Sequence, residues 1–338
     1  MKKKNSVFDE TIRAFKNLDS IEIAISAGPR SKQFQRLFEE SIAVEAGDSH
    51  LNFSAGADAI KSVILPVTIT HNILKSLRIC RGTPAFFCCL PRTLDVYVPA
   101  FAHLRYLFLD IERVEFYAQH RMKLIFLREV SEGIGHLARA ASGLESLHIS
   151  IGTWETEFES DPKSKSLLRW DLIVGDTTWQ NLRTLELACV AGDENLFSGF
   201  IERHVKTLKK LSWDNMFLMG DPSGYAWLRV WKNMHTQLNL EELTFRGVWA
   251  GTRDLNKRRS FKPEMRMDKG LGELLANYIL RRITAPQQSK PWWLTAPTMV
   301  TWISKLYPVS SFAAEIWDQM SASESLVGGE HLKKYETC

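Results

Sequence analysis

Side chains that could carry out catalysis or hold a metal are present in this sequence, but their spacing forms no known signature. The nine histidines and five cysteines are scattered. No HxxxH, HxH, HExxH or CxxC spacing occurs, and Cys88 and Cys89 are adjacent. Neither a GxSxG nucleophile elbow nor a GxxxxGK[ST] phosphate loop is present. We therefore expect a non-enzymatic protein with no catalytic residue, metal or cofactor, although a triad assembled across the fold would escape this test.

The stretch "GIGHLA", with Gly133, Gly135 and Ala138, comes nearest to a dinucleotide-binding fingerprint. That fingerprint places its glycines at a strand-to-helix turn, with an acidic residue about 20 positions further on. Here the glycines lie inside an amphipathic stretch that predicts a helix. Cofactor binding at this position is therefore not expected.

Composition and charge narrow the class of partner and the location. The net charge is +4 and the sequence pI is about 8.7, which is less basic than a typical nucleic-acid-binding domain. No stretch approaches 18 uncharged apolar residues, so no membrane span is expected. An odd number of cysteines without a disulfide pattern favours free thiols in a reducing compartment. The expected location is cytoplasmic or nuclear, and neither nucleic acid nor membrane is the expected partner.

One short segment, 251–269, is locally basic. It contains "TRDLNKRRSFK", which would suit a nuclear-localisation signal or a nucleic-acid patch. The alternative, a solvated connecting loop, is the interpretation we favour. The basic residues are Arg253, Lys257, Arg258, Arg259 and Lys262.

The most informative pattern is a repeated phrase, L-x-x-L-x-L, in which L is any large apolar residue. The phrase occurs seven times. The first match begins at Leu18, and the first leucines of the six later matches are 26 to 40 residues apart. The seven matches are Leu18-Ile21-Ile23, Leu74-Leu77-Ile79, Leu104-Leu107-Leu109, Leu144-Leu147-Ile149, Leu182-Leu185-Leu187, Leu208-Leu211-Trp213 and Leu240-Leu243-Phe245. The alternation in the second half of each phrase predicts a short strand with one buried face.

Amphipathic stretches with helical spacing precede several of these strands. Residues 194–205 follow Asp193, a good N-cap, and further stretches lie near 8–18, 133–142 and 227–238. Repeated helix–turn–strand units can bury their strand faces by stacking in parallel. The sequence therefore predicts an α/β fold, an irregular leucine-rich-repeat solenoid with parallel concave strands and outer helices. An ordinary doubly wound α/β domain is the alternative.

We expect the repeat domain to span 1–250 and to be followed by the basic loop 251–269. The segment 270–338 predicts a C-terminal helical cap with a frayed tail, with helices at 270–283, 296–307 and 310–320. The other end of a solenoid also needs a cap. Either residues 8–30 cap it, or an upstream segment or a partner covers it.

The text from "WQNLRTLELACVAG" at 179–192 to "LEELTFRGVW" at 240–249 resembles the irregular leucine-rich-repeat half of fungal F-box proteins. In that family the repeats hold a target, and an N-terminal F-box binds the adaptor of a cullin-based ubiquitin ligase. This sequence departs from the family because no "LPxELLxxI" string occurs in its first 60 residues. The nearest string, "LPRTL" at 90–94, continues without a helical pattern. The resemblance implies a scaffold that binds a protein target. A ubiquitin-ligase adaptor is a further implied partner if an F-box lies upstream, and a scaffold without ligase linkage is the alternative.

Residues between the buried leucines of each phrase should point to the opposite, concave face of the sheet. This face is mixed in charge with an aromatic spot, which suits a protein better than a phosphate backbone. The predicted partner-binding residues are Arg78, Tyr106, Phe108, Asp110, His148, Glu186, Lys210, Asp214, Glu242 and Arg246.

Overall fold

A computed structural model describes nine segments of the chain. These are residues 18–24, 49–70, 73–88, 91–111, 120–152, 167–219, 225–252, 261–267 and 269–281. The predicted helices at 8–18, 296–307 and 310–320 lie outside the described residues, as do the basic residues between 253 and 260.

The seven leucine phrases form seven parallel strands that are neighbours in chain order, as the sequence predicts. These strands are β1 (Ser20–Ala24), β2 (Ser76–Gly82), β3 (Tyr106–Ile111), β4 (Ser146–Ile151), β6 (Thr184–Asp193), β7 (Lys210–Met219) and β8 (Glu242–Thr252). A two-residue strand, β5 (Leu168–Arg169), pairs with β6 in parallel. The last strand, β9 (Phe261–Met267), is antiparallel to β8. The fold is therefore α/β, with an open sheet of eight parallel strands and one antiparallel strand.

Helices connect the strands. They are α1 (Ser49–Ile69), α2 (Pro91–Leu94), α3 (Val98–Phe101), α4 (His120–Ala140), α5 (Trp170–Val174), α6 (Glu194–His204), α7 (Tyr225–Gln237) and α8 (Lys269–Ile279). The predicted helices that correspond to α4, α6, α7 and α8 are confirmed. The predicted N-cap of α6 is also confirmed, since the Asp193 carboxylate accepts a hydrogen bond from the Leu196 N–H at 2.8 Å.

Two sequence-based interpretations of local structure were wrong. The segment around "LPRTL" contains the one-turn helices α2 and α3, because each has a proline in its first turn, at the first residue of α2 and the second residue of α3. The predicted loop 251–269 contains β9, which pairs with β8 and in which Phe261, Met265 and Met267 alternate with charged residues. Pro263 within β9 is tolerated because an edge strand need not donate to a further neighbour.

Each new strand begins with the same pair of hydrogen bonds. Two consecutive N–H groups donate to the carbonyl of the residue directly before the preceding strand. Lys75 and Ser76, for example, donate to Asp19 at 2.8 and 3.0 Å. The arrangement recurs at all six junctions between the seven phrase strands. The residues that continue this carbonyl row are Asp19, Lys75, Arg105, Glu145, Arg183 and Lys209. The phrase therefore fixes where a strand starts as well as which side chains it buries.

Four strands also bend at an equivalent position, two residues after the last large apolar residue of the phrase. Arg81, Cys189, Asn215 and Gly247 have left-handed backbones, with φ of 56°, 57°, 52° and 73°. A Cβ at Gly247 would collide with the Asp214 carboxylate and lie 2.6 Å from Asn215 Cγ. The register shifts by one residue between β2 and β3 and between β7 and β8, whereas it is unchanged between β6 and β7.

The core lies between the sheet and the helices, and it is aromatic at its C-terminal end. Trp213 packs against Phe197, Trp227, Phe245 and Trp249, with ring centroids 5.2 to 6.4 Å apart. Trp213, which takes the last apolar position of its phrase, is fully buried. The tryptophans of this region that are described as buried, Trp213, Trp227, Trp231 and Trp249, therefore belong to the core.

The glycines of "GIGHLA" serve close packing. Both lie inside α4, where a Cβ at Gly133 would collide with the Phe87 carbonyl and one at Gly135 with the Leu172 carbonyl. The backbone of α4 therefore lies directly against two neighbouring segments, and neither glycine lies at a strand-to-helix turn.

His204, at the end of α6, is buried as a neutral ring. Its Nδ1 lies 2.8 Å from the Phe200 carbonyl, and its Nε2 accepts from the Trp179 N–H at 3.1 Å. Because one nitrogen must donate and the other accept, the ring carries one proton. Burial lowers the pKa of His204.

Candidate functional site

One face of the sheet is open, because strand positions that alternate with the buried leucines remain accessible on one side. The parallel register aligns these positions across the sheet in rows. We call this surface the open face. Of the predicted partner-binding residues, Arg78, Tyr106, Glu186, Lys210, Glu242 and Arg246 are exposed on it, and Phe108, His148 and Asp214 are half-buried.

Asp110 departs from the prediction, because its side chain is only 7% exposed. Asp110 is the third outward-facing residue of β3. It lies beside Ser150 and Ala188, the third outward-facing residues of the next two strands, which are also buried. Its carboxylate accepts from the Ser150 hydroxyl at 2.8 Å and from the backbone N–H of Arg81. Burial raises the pKa of Asp110, although these hydrogen bonds and nearby cations oppose the shift. Asp110 therefore contributes to the hydrogen bonding beneath the open face, and its carboxyl group is not accessible to a partner.

The middle row forms a continuous series of contacts across five strands, which we call the central ladder: Glu22, Arg78, Phe108, His148 and Glu186. Arg78 lies 3.8 Å from Glu22, and its guanidinium carbon is 3.9 Å from the centre of the Phe108 ring. The rings of Phe108 and His148 are stacked at 3.9 Å with an interplanar angle of 9°. Each strand thus contributes one side chain to a single stack on the open face.

The last contact of the central ladder is polar. His148 Nδ1 lies 2.8 Å from Glu186 Oε2, and this hydrogen bond lowers the pKa of Glu186 against the opposing effect of burial. On its other side, His148 Nε2 lies 3.3 Å from the Ser150 hydroxyl oxygen. The ring therefore joins the ladder to the buried pair Ser150 and Asp110.

Ser150, His148 and Glu186 have the connectivity of a nucleophile, base and orienting acid. Two features argue against that role. Ser150 is only 1% exposed, and its hydroxyl oxygen lies closer to Asp110, at 2.8 Å, than to His148 Nε2, at 3.3 Å. A serine nucleophile must reach a substrate carbonyl and transfer its proton to the histidine. The arrangement fits a structural hydrogen-bond network.

Charged residues border the open face at the N-terminal ends of the strands. We call this row the charged rim: Asp19, Lys75, Arg105, Glu145, Arg183, Lys209 and Glu241. Arg105 pairs with Glu145, and the exposed Tyr106 hydroxyl donates to the same carboxylate at 3.1 Å. On the open face itself, Lys210 pairs with Glu242 at 2.5 Å. Solvent screens exposed pairs of this kind, so they shape specificity more than stability.

The structure brings only part of the predicted set together. Arg78, Phe108, His148 and Glu186 join one ladder, whereas Lys210 and Glu242 form a separate pair at the C-terminal part of the sheet. Asp214 and Arg246 face each other in the strand register.

Sequence reasoning missed Glu22 and the charged rim. The signal was available in the phrase that begins at Leu18, because the same offset that selects Arg78 in β2 selects Glu22 in β1. The residue after the first leucine of all seven phrases is charged, which would have identified the rim.

Two searches for other kinds of site gave no candidate. In the described segments, no group of three or more His, Cys, Asp and Glu side chains is arranged to hold a metal ion. Among the helices of the same segments, none is long and apolar enough to cross a membrane.

Comparisons of the chain with protein-family models, with curated proteins and with solved structures found no match.

Proposed function

We propose that this chain is an irregular leucine-rich-repeat solenoid whose open face binds a protein target. Three repeated features support the solenoid: strands in unbroken chain order, the same paired hydrogen bonds at each strand start, and left-handed bends at equivalent positions. A doubly wound domain instead reverses its strand order near the middle of the sheet. Stacked units that add one strand at a time give this order directly.

The observation that carries the binding proposal is the central ladder together with Tyr106, whose side chain is 46% exposed. Aromatic and arginine side chains are the commonest energetic anchors of protein interfaces. Here Arg78 is held flat against Phe108, so less side-chain entropy would be lost when a partner binds. Charges of both signs surround this spot, which favours a protein over nucleic acid.

The proposal is tested by affinity capture from a fungal extract, followed by quantitative mass spectrometry. The test variant combines Tyr106→Ala with Lys210→Glu on the open face. Capture of the target should weaken at least tenfold, since truncation of one aromatic anchor costs about 2 kcal/mol or more.

A matched control is Arg128→Ala on α4, which removes an exposed side chain and its ion pair with Glu132 on the helix side of the molecule. It should capture the same target as the unaltered protein. If the open-face variant retains every protein that the control retains, the open face is not the binding surface.

A link to ubiquitin ligation is a separate proposal, supported only by the sequence resemblance. Pull-down with the full native protein should recover a cullin and its adaptor if the link exists. Recovery of a target without either protein would support the alternative, a regulatory scaffold independent of a ligase.

A further inference from the structure

We propose that Asp110, Ser150, His148 and Glu186 together hold one shared proton, and that loss of this proton at higher pH releases His148 of the central ladder from Ser150. The inference goes beyond the proposed function and does not depend on it, because the isolated protein can be tested for it.

The hydrogen bonds among these four side chains outnumber the protons that the serine and a neutral histidine supply. The four side chains make three contacts in series: Asp110 to Ser150 at 2.8 Å, Ser150 to His148 at 3.3 Å, and His148 to Glu186 at 2.8 Å. Each contact needs one proton between its two heavy atoms. The serine hydroxyl supplies one proton and a neutral imidazole supplies a second. The third contact therefore requires a proton that two carboxylates and a neutral histidine do not have.

Two arrangements place the extra proton without breaking a contact. In one, His148 is an imidazolium that donates both to Glu186 and to Ser150, while the serine donates to Asp110. In the other, Asp110 is protonated and donates to Ser150, the serine donates to His148 Nε2, and His148 donates to Glu186. The two arrangements contain the same number of protons and differ only in their positions. Because burial raises the pKa of Asp110, the second arrangement has a physical basis.

Charged and titratable side chains on the neighbouring strands also face this network. Outside its four members they include one anion, Glu22, and two cations, Arg78 and Arg81. Cys80, Tyr106 and, on β7, Asp214 lie on the same face of the sheet. Arg81 lowers the pKa of Asp110 and Arg78 lowers the pKa of Glu186, so the two cations oppose retention of the proton that burial of Asp110 favours.

Loss of the shared proton has a defined structural effect. One of the three contacts would then join two lone pairs, and it would have to open. The 3.3 Å contact between Ser150 and His148 is the longest of the three. Its opening would remove one of the two hydrogen bonds that orient the His148 ring against Phe108, and Phe108 in turn supports Arg78. The open face would then change both its net charge and the order of its central side chains.

The test variant is Asp110→Asn. The asparagine NH₂ can donate to Ser150, the serine to His148 and His148 to Glu186, so all three contacts form without an extra proton. The folding equilibrium constants of the unaltered protein and of this variant are measured by urea denaturation from pH 6 to pH 9.

The expected sign follows from proton linkage. Above about pH 6.5 an unfolded chain has released the protons of its histidines and carboxyl groups, whereas the folded network keeps one. The stability of the unaltered protein, relative to Asp110→Asn, should therefore fall as pH rises, by up to about tenfold in the folding constant per pH unit. Parallel curves for the two proteins would overturn the proposal.

A second measurement needs no variant. Nitrogen-15 NMR of the His148 ring and carbon-13 NMR of the Asp110 and Glu186 carboxyl groups at pH 7 report each protonation state directly. An imidazolium or one protonated carboxyl group is expected. A neutral ring between two ionised carboxylates would overturn the proposal, even if Asp110→Asn failed to fold.

Discussion

Replacement of Trp213 by leucine should destabilise the protein, although it makes the phrase of β7 more regular. Trp213 is fully buried, and four aromatic rings surround it with centroids 5.2 to 6.4 Å away. Leucine is about 60 Å³ smaller, and unfilled core volume costs about 24 cal/mol per Å³, or about 1.5 kcal/mol. Lost ring–ring contacts add about 0.5–1.5 kcal/mol. We expect a total loss of about 2–3 kcal/mol.

The assay is urea denaturation followed by far-UV circular dichroism, with the midpoint and slope fitted for each variant. Ser212→Ala is the matched control, because Ser212 precedes Trp213 on the same strand and faces the opposite, open side. It should change the free energy of unfolding by less than about 0.5 kcal/mol. A Trp213→Leu variant as stable as the unaltered protein would refute the aromatic core derived above, and so would an equal loss in the control.

Two further substitutions test the bend and the buried histidine. Gly247→Ala should lower the free energy of unfolding by about 2 kcal/mol or more, because alanine is strained at this left-handed φ and its Cβ has no room. The control is Gly143→Ala, whose Cβ would meet only one carbonyl at 4.0 Å. It should cost less than half as much in the same urea assay. His204 should make the protein less stable as pH falls below about 6.5, by up to about 1.4 kcal/mol per pH unit, because burial lowers its folded-state pKa and the unfolded chain takes up the proton first. Urea titrations at pH 7.5 and 5.5 should show a smaller loss of stability in His204→Gln than in the unaltered protein. The loss should be unchanged in His103→Gln, which replaces an exposed histidine. Equal losses in all three proteins would contradict the assignment of His204 as a buried neutral ring.

Strand positions and order were predictable because the phrase encodes both. The large apolar residues at positions 4 and 6 of the phrase give the alternation of a strand with one buried face. Recurrence of the phrase indicates that successive strands have equivalent surroundings, which is why parallel neighbours in chain order could be expected. Helices α6 and α7 were predictable for a similar reason, since their apolar residues follow helical spacing.

Other features depend on contacts that local sequence does not encode. The segment of α1 has apolar residues on several sides and an internal proline, Pro66, so its spacing gave no clear helical pattern. Strand β9 has a short alternation of apolar and charged residues, but its pairing with the edge of β8 is a contact that local sequence does not encode. The left-handed residues Arg81 and Cys189 carry no glycine signal at all.

The sequence predicts which face of the sheet carries the candidate site, but it does not predict how deeply each side chain is buried. Alternation assigns Arg78, Phe108 and His148 correctly to one face, and the parallel register then makes them neighbours. The burial of Asp110 could not be predicted, because alternation specifies the face on which a side chain lies and not what covers it. The hydrogen-bond series from Asp110 to Glu186 depends on distances that only the folded sheet defines.

The most direct test of the open face is a pair of distances measured by pulsed electron paramagnetic resonance. Spin labels are introduced as unnatural amino acids, so that the five native cysteines remain. One label replaces the exposed Glu242 in β8, and the second replaces either Ser76 in β2 or Ser20 in β1. With strands about 4.8 Å apart, five and six strand intervals correspond to about 24 and 29 Å, shortened slightly by curvature. We expect the Ser20 pair to be the longer by about one strand spacing. A Ser20 distance equal to or shorter than the Ser76 distance would contradict seven neighbouring parallel strands, and with them the surface proposed to bind a target.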